Sequence, residues 1–222
     1  MNTAIIIPCH NEAKYIADVV KKAKKYGTVI VADDGSTDAT AIEARVSGAE
    51  VYCLPKNMGA GAASRVGFAA SKNFDVIVTL DGDAQHDPDD MPKLLNAIKD
   101  GYDVVIGSRF LSKNQIKMPI YRRFGNWLIT LAFNFEHKPI KDSQSGFRAF
   151  TRKALDKLDY KENGFGFATE MIIKARKQGL KICEVPITCS YHNLAQDSHM
   201  NPFSHGFGVI VKTVEWRIRE RN

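Results

Sequence analysis

The chain has 222 residues, 44% hydrophobic and 25% charged, with a formal net charge of +6. That length suits one large α/β domain with a sizeable core, and the composition excludes disordered and fibrous classes. The mild basic excess suits anionic substrates or a membrane surface, and nothing in it calls for nucleic acid. Cys9, Cys53, Cys183 and Cys189 show no CxxC spacing. They read as buried small apolar residues of a reduced compartment, not as a zinc site or a disulfide frame. No apolar run approaches the ~20 residues that cross a bilayer. The N-terminus enters a strand directly, without a signal peptide, so a cytoplasmic location is expected.

Residues 4–8 read as a first strand, followed by Pro8-Cys9-His10-Asn11-Glu12. Ile16, Val19, Val20 and Ala23 recur at helical spacing, with Lys21, Lys22, Lys24 and Lys25 on the wet face and Gly27 as the stop. Residues 28–32 are a second strand ending in Asp33-Asp34-Gly35-Ser36-Thr37-Asp38, where Ser36 or Thr37 is expected to cap the next helix. Residues 50–55 are a third strand. Lys56–Ala63 opens a helix whose Gly59-x-Gly61 serves close packing in preference to phosphate binding.

The organising stretch is Val76-Ile77-Val78-Thr79-Leu80-Asp81-Gly82-Asp83-Ala84-Gln85. An apolar run buried on both faces ends in two carboxylates at the strand's C-terminal end, where open α/β sheets bind ligands. Asp81 and Asp83, with Gln85 as a further oxygen donor, suit Mg²⁺ or Mn²⁺ shared with substrate phosphates; the plain alternative is a turn with solvated acids. Asp87-Pro88-Asp89-Asp90 opens a helix, its acids acting as capping groups. Residues 103–107 are a fifth strand leading to Ser108-Arg109-Phe110. Strand and helix have alternated with short connections to this point, so the expected fold is α/β, a mainly parallel sheet with helices on both faces.

Beyond Arg109 the pattern changes. Residues 111–117 are a polar loop, and 119–135 a helix with Arg122 and Arg123 near its start, either packing on the core or resting on a bilayer. Asp142–Phe150 is a polar turn entering a short strand, and 151–158 a small helix. An aromatic loop at 164–167 precedes a helix over 168–177, whose first-turn Glu170 reads as structural. Residues 181–190 are a last strand. A loop over 192–205 carries His192, His199 and His205, which read as surface groups, and residues 206–221 close the chain as an amphipathic helix.

The ordered set Pro8-x-x-Asn11-Glu12, Asp33-Asp34-Gly35-Ser36-x-Asp38, Asp81-Gly82-Asp83-x-Gln85-His86 and Gly107-Ser108-Arg109 resembles the inverting family 2 glycosyltransferases of GT-A fold. Arg123-x-x-Asn126, Ser145-Gly146-Phe147-Arg148 and Glu184-Val185-Pro186-Ile187 resemble its polyprenyl-phosphate branch, typified by dolichol-phosphate mannosyltransferases. The resemblance spans roughly residues 4–190. It implies a single Rossmann-like glycosyltransferase domain over 1–222: a nucleotide-sugar half (1–110), an acceptor half (111–190) and a terminal loop and helix (191–222). Pro8, His10, Glu12, Asp34, Asp81 and Gly82 would bind the nucleotide sugar, and Asp81, Asp83 and Gln85 the metal. Asp83, Arg109 and Arg123 would carry the reaction, the two arginines holding the acceptor phosphate. Members often carry tyrosine where His10 stands.

The implied activity is metal-dependent transfer of a hexosyl group, with inversion, from GDP-mannose, UDP-glucose or UDP-N-acetylglucosamine to a polyprenyl (dolichyl) phosphate. The alternative is a soluble, protein or glycan acceptor. Many members carry membrane spans after the catalytic domain. Here anchoring falls to an amphipathic surface or a membrane-anchoring protein partner, giving a peripheral protein on the cytoplasmic face. A nucleotidyltransferase is disfavoured, because the glycine-rich basic loop it needs after the first strand is absent from Pro8–Glu12.

Overall fold

The computed structural model describes residues 1–111, 139–164 and 166–190. Seven strands form one sheet: β1 (Thr3–Cys9), β2 (Thr28–Asp33), β3 (Glu50–Cys53), β4 (Val76–Thr79), β5 (Val104–Ser108), β6 (Arg148–Thr151) and β7 (Ile182–Pro186). Their order is β3-β2-β1-β4-β6-β5-β7. Every pairing is parallel except those of β6, which runs antiparallel between β4 and β5. Six helices accompany them among the described residues: α1 (Ile16–Ala23), α2 (Thr40–Val46), α3 (Ala60–Ala70), α4 (Met91–Lys99), α5 (Arg152–Leu155) and α6 (Phe167–Lys177). The expected mainly parallel α/β architecture is what is found.

The continuous apolar strands follow from two-sided burial. In β1, Ala4 and Ile6 enter one core with Ile30, Phe68, Ile77 and Phe150. Ile5 and Ile7 enter the opposite core with Val29, Val31, Val78 and Leu94. Each such isoleucine is fully buried, worth roughly 1.5–3 kcal/mol relative to exposure. The α1 stripe lies as its spacing predicts, with Ile16, Val19, Val20 and Ala23 all buried.

Several local expectations are corrected. Cys53 is exposed because β3 is a sheet edge, and Cys183 is only half-buried; Cys9 and Cys189 are buried. Helix α1 ends at Ala23 with Lys24 as its C-cap, three residues before Gly27. Neither Ser36 nor Thr37 caps α2. The Asp38 carboxylate accepts from the Thr40 N–H at 2.9 Å instead, while the Ser36 hydroxyl bonds the Asp33 carboxylate. Asp87 does act as a cap, accepting from the Asp89 N–H at 3.2 Å, but over a 3₁₀ turn (Pro88–Asp90) that precedes α4.

Candidate active site

The C-terminal ends of β1 and β2 are stitched together side chain to backbone. The Asn11 N–H donates to the Ser36 hydroxyl at 2.8 Å, the Thr37 N–H to the Asn11 side-chain carbonyl at 2.9 Å, and the Glu12 N–H to the Thr40 hydroxyl at 2.7 Å. This web holds Asn11 at a φ of 56°, a left-handed conformation that asparagine tolerates better than most residues. His10 is caught in it. Its Nδ1 lies 2.9 Å from the Asp34 carbonyl oxygen, so Nδ1 carries the proton, and its Nε2 accepts from the Asn11 amide at 3.2 Å. Both ring nitrogens are spent on the protein.

Asp34, placed in the nucleotide pocket by the sequence reading, is buried, and its two oxygens accept from the Met58 and Gly59 N–H groups at 2.7 and 2.8 Å. Its direct work is to fix the turn before α3. Pro8 and Glu12 are half-buried at the same rim. Gly82 is buried against Cys9, where an added Cβ would come within 3.1 Å of the cysteine Cβ.

The expected packing role of Gly59-x-Gly61 is the one observed. The Asn163 carbonyl oxygen plugs the start of α3, accepting from the Gly61 N–H at 2.6 Å and the Ala62 N–H at 3.3 Å. A Cβ on Gly61 would lie 2.3 Å from the Glu162 carbonyl oxygen. The donors that might have met a phosphate are taken by the chain itself. Glu170 is structural, as its sequence position suggests: buried, it accepts from the Lys161 and Glu162 N–H groups and pairs with Lys174 at 3.0 Å.

Beyond β4 the backbone turns sharply through Asp81–Gln85. Ala84 has a φ of 57°, and the Asp83 carboxylate accepts from the Gln85 N–H at 3.0 Å. The Asp81 carboxylate is 3.3 Å from Nε2 of the buried His86, yet its side chain stays 44% exposed, open to a ligand. Desolvation works to raise Asp81, but the His86 hydrogen bond and the charges of His86, Arg109 and Arg148 hold it below the usual carboxylate range. Desolvation and then the charge of Asp81 push Asp83 above that range. A carboxylate pair in which one charge raises the other's pKa is a place where a cation is stabilising. Two carboxylates and an amide carbonyl are also the donor set that hard divalent ions take. Among the described residues no trio of His, Cys, Asp and Glu converges on a metal position. An ion here would complete its shell with water and substrate oxygens, as Mg²⁺ usually does.

The other wall is the segment 139–147, which sequence reading treated as a mere turn. Asp142 is fully buried and grips Arg109 three times: it accepts from the Arg109 backbone N–H at 3.0 Å, from Nε at 2.7 Å and from Nη2 at 2.8 Å. Desolvation opposes its charge, but Arg109 outweighs that and holds Asp142 below the usual range. The Glu184 carboxylate, on β7, accepts from the Lys141 and Asp142 N–H groups at 2.8 Å each. Arg148 is buried with its guanidinium spent on three carbonyl oxygens, those of Ser143, Ser145 and Ala168. Burial lowers its pKa to about 10.

Gly146 closes the arrangement. The Thr79 hydroxyl donates to its carbonyl oxygen at 2.7 Å, and its Cα faces the Asp81 carboxylate so closely that a Cβ would lie 2.2 Å from an Asp81 oxygen. Arg109, Asp81 and Asp83 are therefore tied to one frame. Asp142 was missed, and Gly146 and Glu184 were named only within motifs, without a role. Their partners lie 33, 65 or more, and 42 positions away in sequence, where local pattern carries no signal. Arg123 with its helix, and His192, His199 and His205, lie outside the described residues.

Comparison with known proteins agrees with this geometry. The chain is 34% identical over 213 residues to the UDP-N-acetylglucosamine–dolichyl-phosphate N-acetylglucosaminyltransferase of Methanococcus voltae, covering 84% of this chain and 85% of that one. It is 32% identical over 222 residues to the dolichyl-phosphate hexose transferase of Haloferax volcanii, covering 98% and 95%. Its fold matches glucosyl-3-phosphoglycerate synthase from Mycobacterium tuberculosis, crystallised with Mn²⁺, UDP and glucosyl-3-phosphoglycerate, at a TM-score of 0.74 and 21% identity over 99% of this chain and 79% of that one. The family model described as glycosyl transferase family 2 matches residues 4–159. The GT-A sheet, the ordered motifs and these matches make one conclusion: the chain belongs to glycosyl transferase family 2.

Proposed function

We propose that this glycosyltransferase moves a hexosyl group from a nucleotide sugar to a polyprenyl phosphate, inverting the anomeric carbon, at a membrane surface. One observation carries the reading: the segment 141–146 touches the Asp81 carboxylate at one end and holds Arg109 at the other. A donor diphosphate at the carboxylates and an acceptor anion at the guanidinium would lie on either side of one rigid support. The relatives named for dolichyl phosphate support the acceptor, and the neighbour crystallised with Mn²⁺ and UDP supports the donor and the ion.

In this reading Asp81, Asp83 and Gln85 would hold a divalent ion, Mg²⁺ or Mn²⁺, which would supply positive charge against a nucleoside-diphosphate leaving group. The remaining work belongs to the chain. The ring of His10, its nitrogens already satisfied, lies flat against the base. Pro8, Glu12 and Gly82 shape the pocket rim, and Asp34 keeps the turn before α3 in place. The acceptor phosphate, with a second pKa of about 6, is ionised near neutral pH and needs no strong base. It needs aim, which Arg109 and Arg123 supply by their planar forks. Among the described residues no helix is long and apolar enough to cross a membrane. Contact with the lipid is assigned to basic and amphipathic surface, or to a membrane-anchored protein partner, on the cytoplasmic face.

The test is a transfer assay with GDP-mannose, UDP-glucose and UDP-N-acetylglucosamine against farnesyl phosphate and a water-soluble alcohol, with product configuration read by NMR. Transfer to the phosphate with inversion is expected, and Asp83→Asn should lower it about 10³-fold with the circular-dichroism spectrum unchanged. Transfer to the alcohol alone would put the acceptor in solution. Undiminished turnover by Asp83→Asn would remove its role.

A further inference from the structure

Glu184 lies in the Glu184-Val185-Pro186-Ile187 motif, to which the proposed mechanism gives no task. On β7 it stands in register with Ile106 of β5, three residues before Arg109. Its two oxygens accept from two consecutive N–H groups, Lys141 through Oε2 and Asp142 through Oε1, both at 2.8 Å. Among the described residues no cation is paired with it. A half-buried carboxylate without a cation is retained only where its hydrogen bonds repay desolvation. These two bonds fix the backbone from which the fully buried Asp142 reaches Arg109.

We infer that Glu184 is a positioning residue for the acceptor phosphate, acting through Asp142 on the orientation of the Arg109 guanidinium. Asp142 occupies the Nε and Nη2 edge of Arg109, so the position of Asp142 sets the direction of the rest of the fork. Removing one of the two N–H···O bonds lets residues 141–142 shift, and the guanidinium with them. The inference rests on the reading of Arg109 as the phosphate-holding group.

Glu170 provides a control. It grips two consecutive N–H groups, Lys161 and Glu162, and pairs with Lys174, in a loop that holds no proposed substrate group. The experiment measures KM for farnesyl phosphate and for the nucleotide sugar in wild type, Glu184→Gln and Glu170→Gln, and repeats Glu184→Gln in an Arg109→Ala background. Glu184→Gln should raise the farnesyl-phosphate KM about ten-fold, the usual scale for losing a residue that orients a binding group. Its nucleotide-sugar KM should stay within about two-fold, and in the Arg109→Ala background it should add nothing. Glu170→Gln should lower the melting temperature without separating the two KM values. An unchanged acceptor KM, an equal rise in both, or the same rise without Arg109 would overturn the inference. Should Glu184→Gln fail to fold by circular dichroism, Glu184→Asp, which keeps the charge but withdraws the oxygens by one methylene, is judged by the same outcomes. Wild type that transfers nothing to farnesyl phosphate overturns the acceptor reading and this inference together. Wild type that transfers normally leaves only the inference at stake.

Discussion

Two segments of this protein are held by the same device and put it to different ends. Residues 141–142 and 161–162 each present consecutive N–H groups to one glutamate, Glu184 and Glu170. Each contact is closed at a glycine that admits no side chain: Gly146, in the first segment, lies against the Asp81 carboxylate, and Gly61 of α3 lies against the Glu162 carbonyl oxygen. The second segment ends its reach in a helix terminus, where the Asn163 carbonyl satisfies α3. The first ends in charged groups, a 44% exposed Asp81 and an Arg109 held by Asp142. In both places two backbone N–H groups are held by one carboxylate. What each segment delivers depends on what its last residue touches.

Substituting the two glycines separates these roles. Gly146→Ala puts a methyl where an Asp81 oxygen lies 2.2 Å away, so the carboxylate or the turn must move. Transfer should fall about 10²-fold, the scale on which a displacement near 1 Å acts. The melting temperature, read alongside, should fall modestly. Gly61→Ala meets backbone at 2.3 Å, which cannot swing aside. It should cost about 1–3 kcal/mol of stability, as overpacking does, or roughly 2–4 °C per kcal/mol at this size. Its Mn²⁺ affinity by titration should be unchanged. Equal effects of the two alanines on transfer would erase the distinction between the segments.

A smaller effect comes from acid. Asp142 is depressed by Arg109 against the pull of desolvation. Its folded pKa lies below its unfolded value of about 3.9, so its stabilising contribution is complete above that pH and fades as pH falls through the folded pKa. Melting temperatures taken between about pH 3 and pH 6 should show a steep acid limb in wild type and a flatter one in Asp142→Asn. Superimposable limbs would mean that the Arg109 pair contributes nothing to folding.

Much of the sheet was legible from its apolar runs. β1, β2, β4 and β5 are short continuous hydrophobic stretches because both faces are covered, and α1 declared itself through four residues on one stripe. The placement of Asp81 and Asp83 just beyond β4 was legible because the apolar run ends directly before them. The edge character of β3 was not, since Val51, Tyr52 and Cys53 read the same whether covered or exposed. Nor was the frame around Arg109. Asp142 sits in a polar stretch that looks like any turn, and only the fold shows that it is fully buried beneath a guanidinium. Ser36 and Thr37 misled for a related reason. Hydroxyls good at capping are equally good at cross-linking loops, and here the Ser36 hydroxyl donates to Asp33 and accepts from the Asn11 N–H, while the Thr37 hydroxyl donates to the Asn11 side-chain oxygen.

The reversal of β6 has a further consequence. Its neighbours β4 and β5 both finish at the reactive rim, and a strand running the other way starts there. The polypeptide entering β6 therefore arrives at that rim. Residues 139–147, which hold Arg109 and meet Asp81, thus pass straight into the sheet, and the ladders on both sides of β6 brace them.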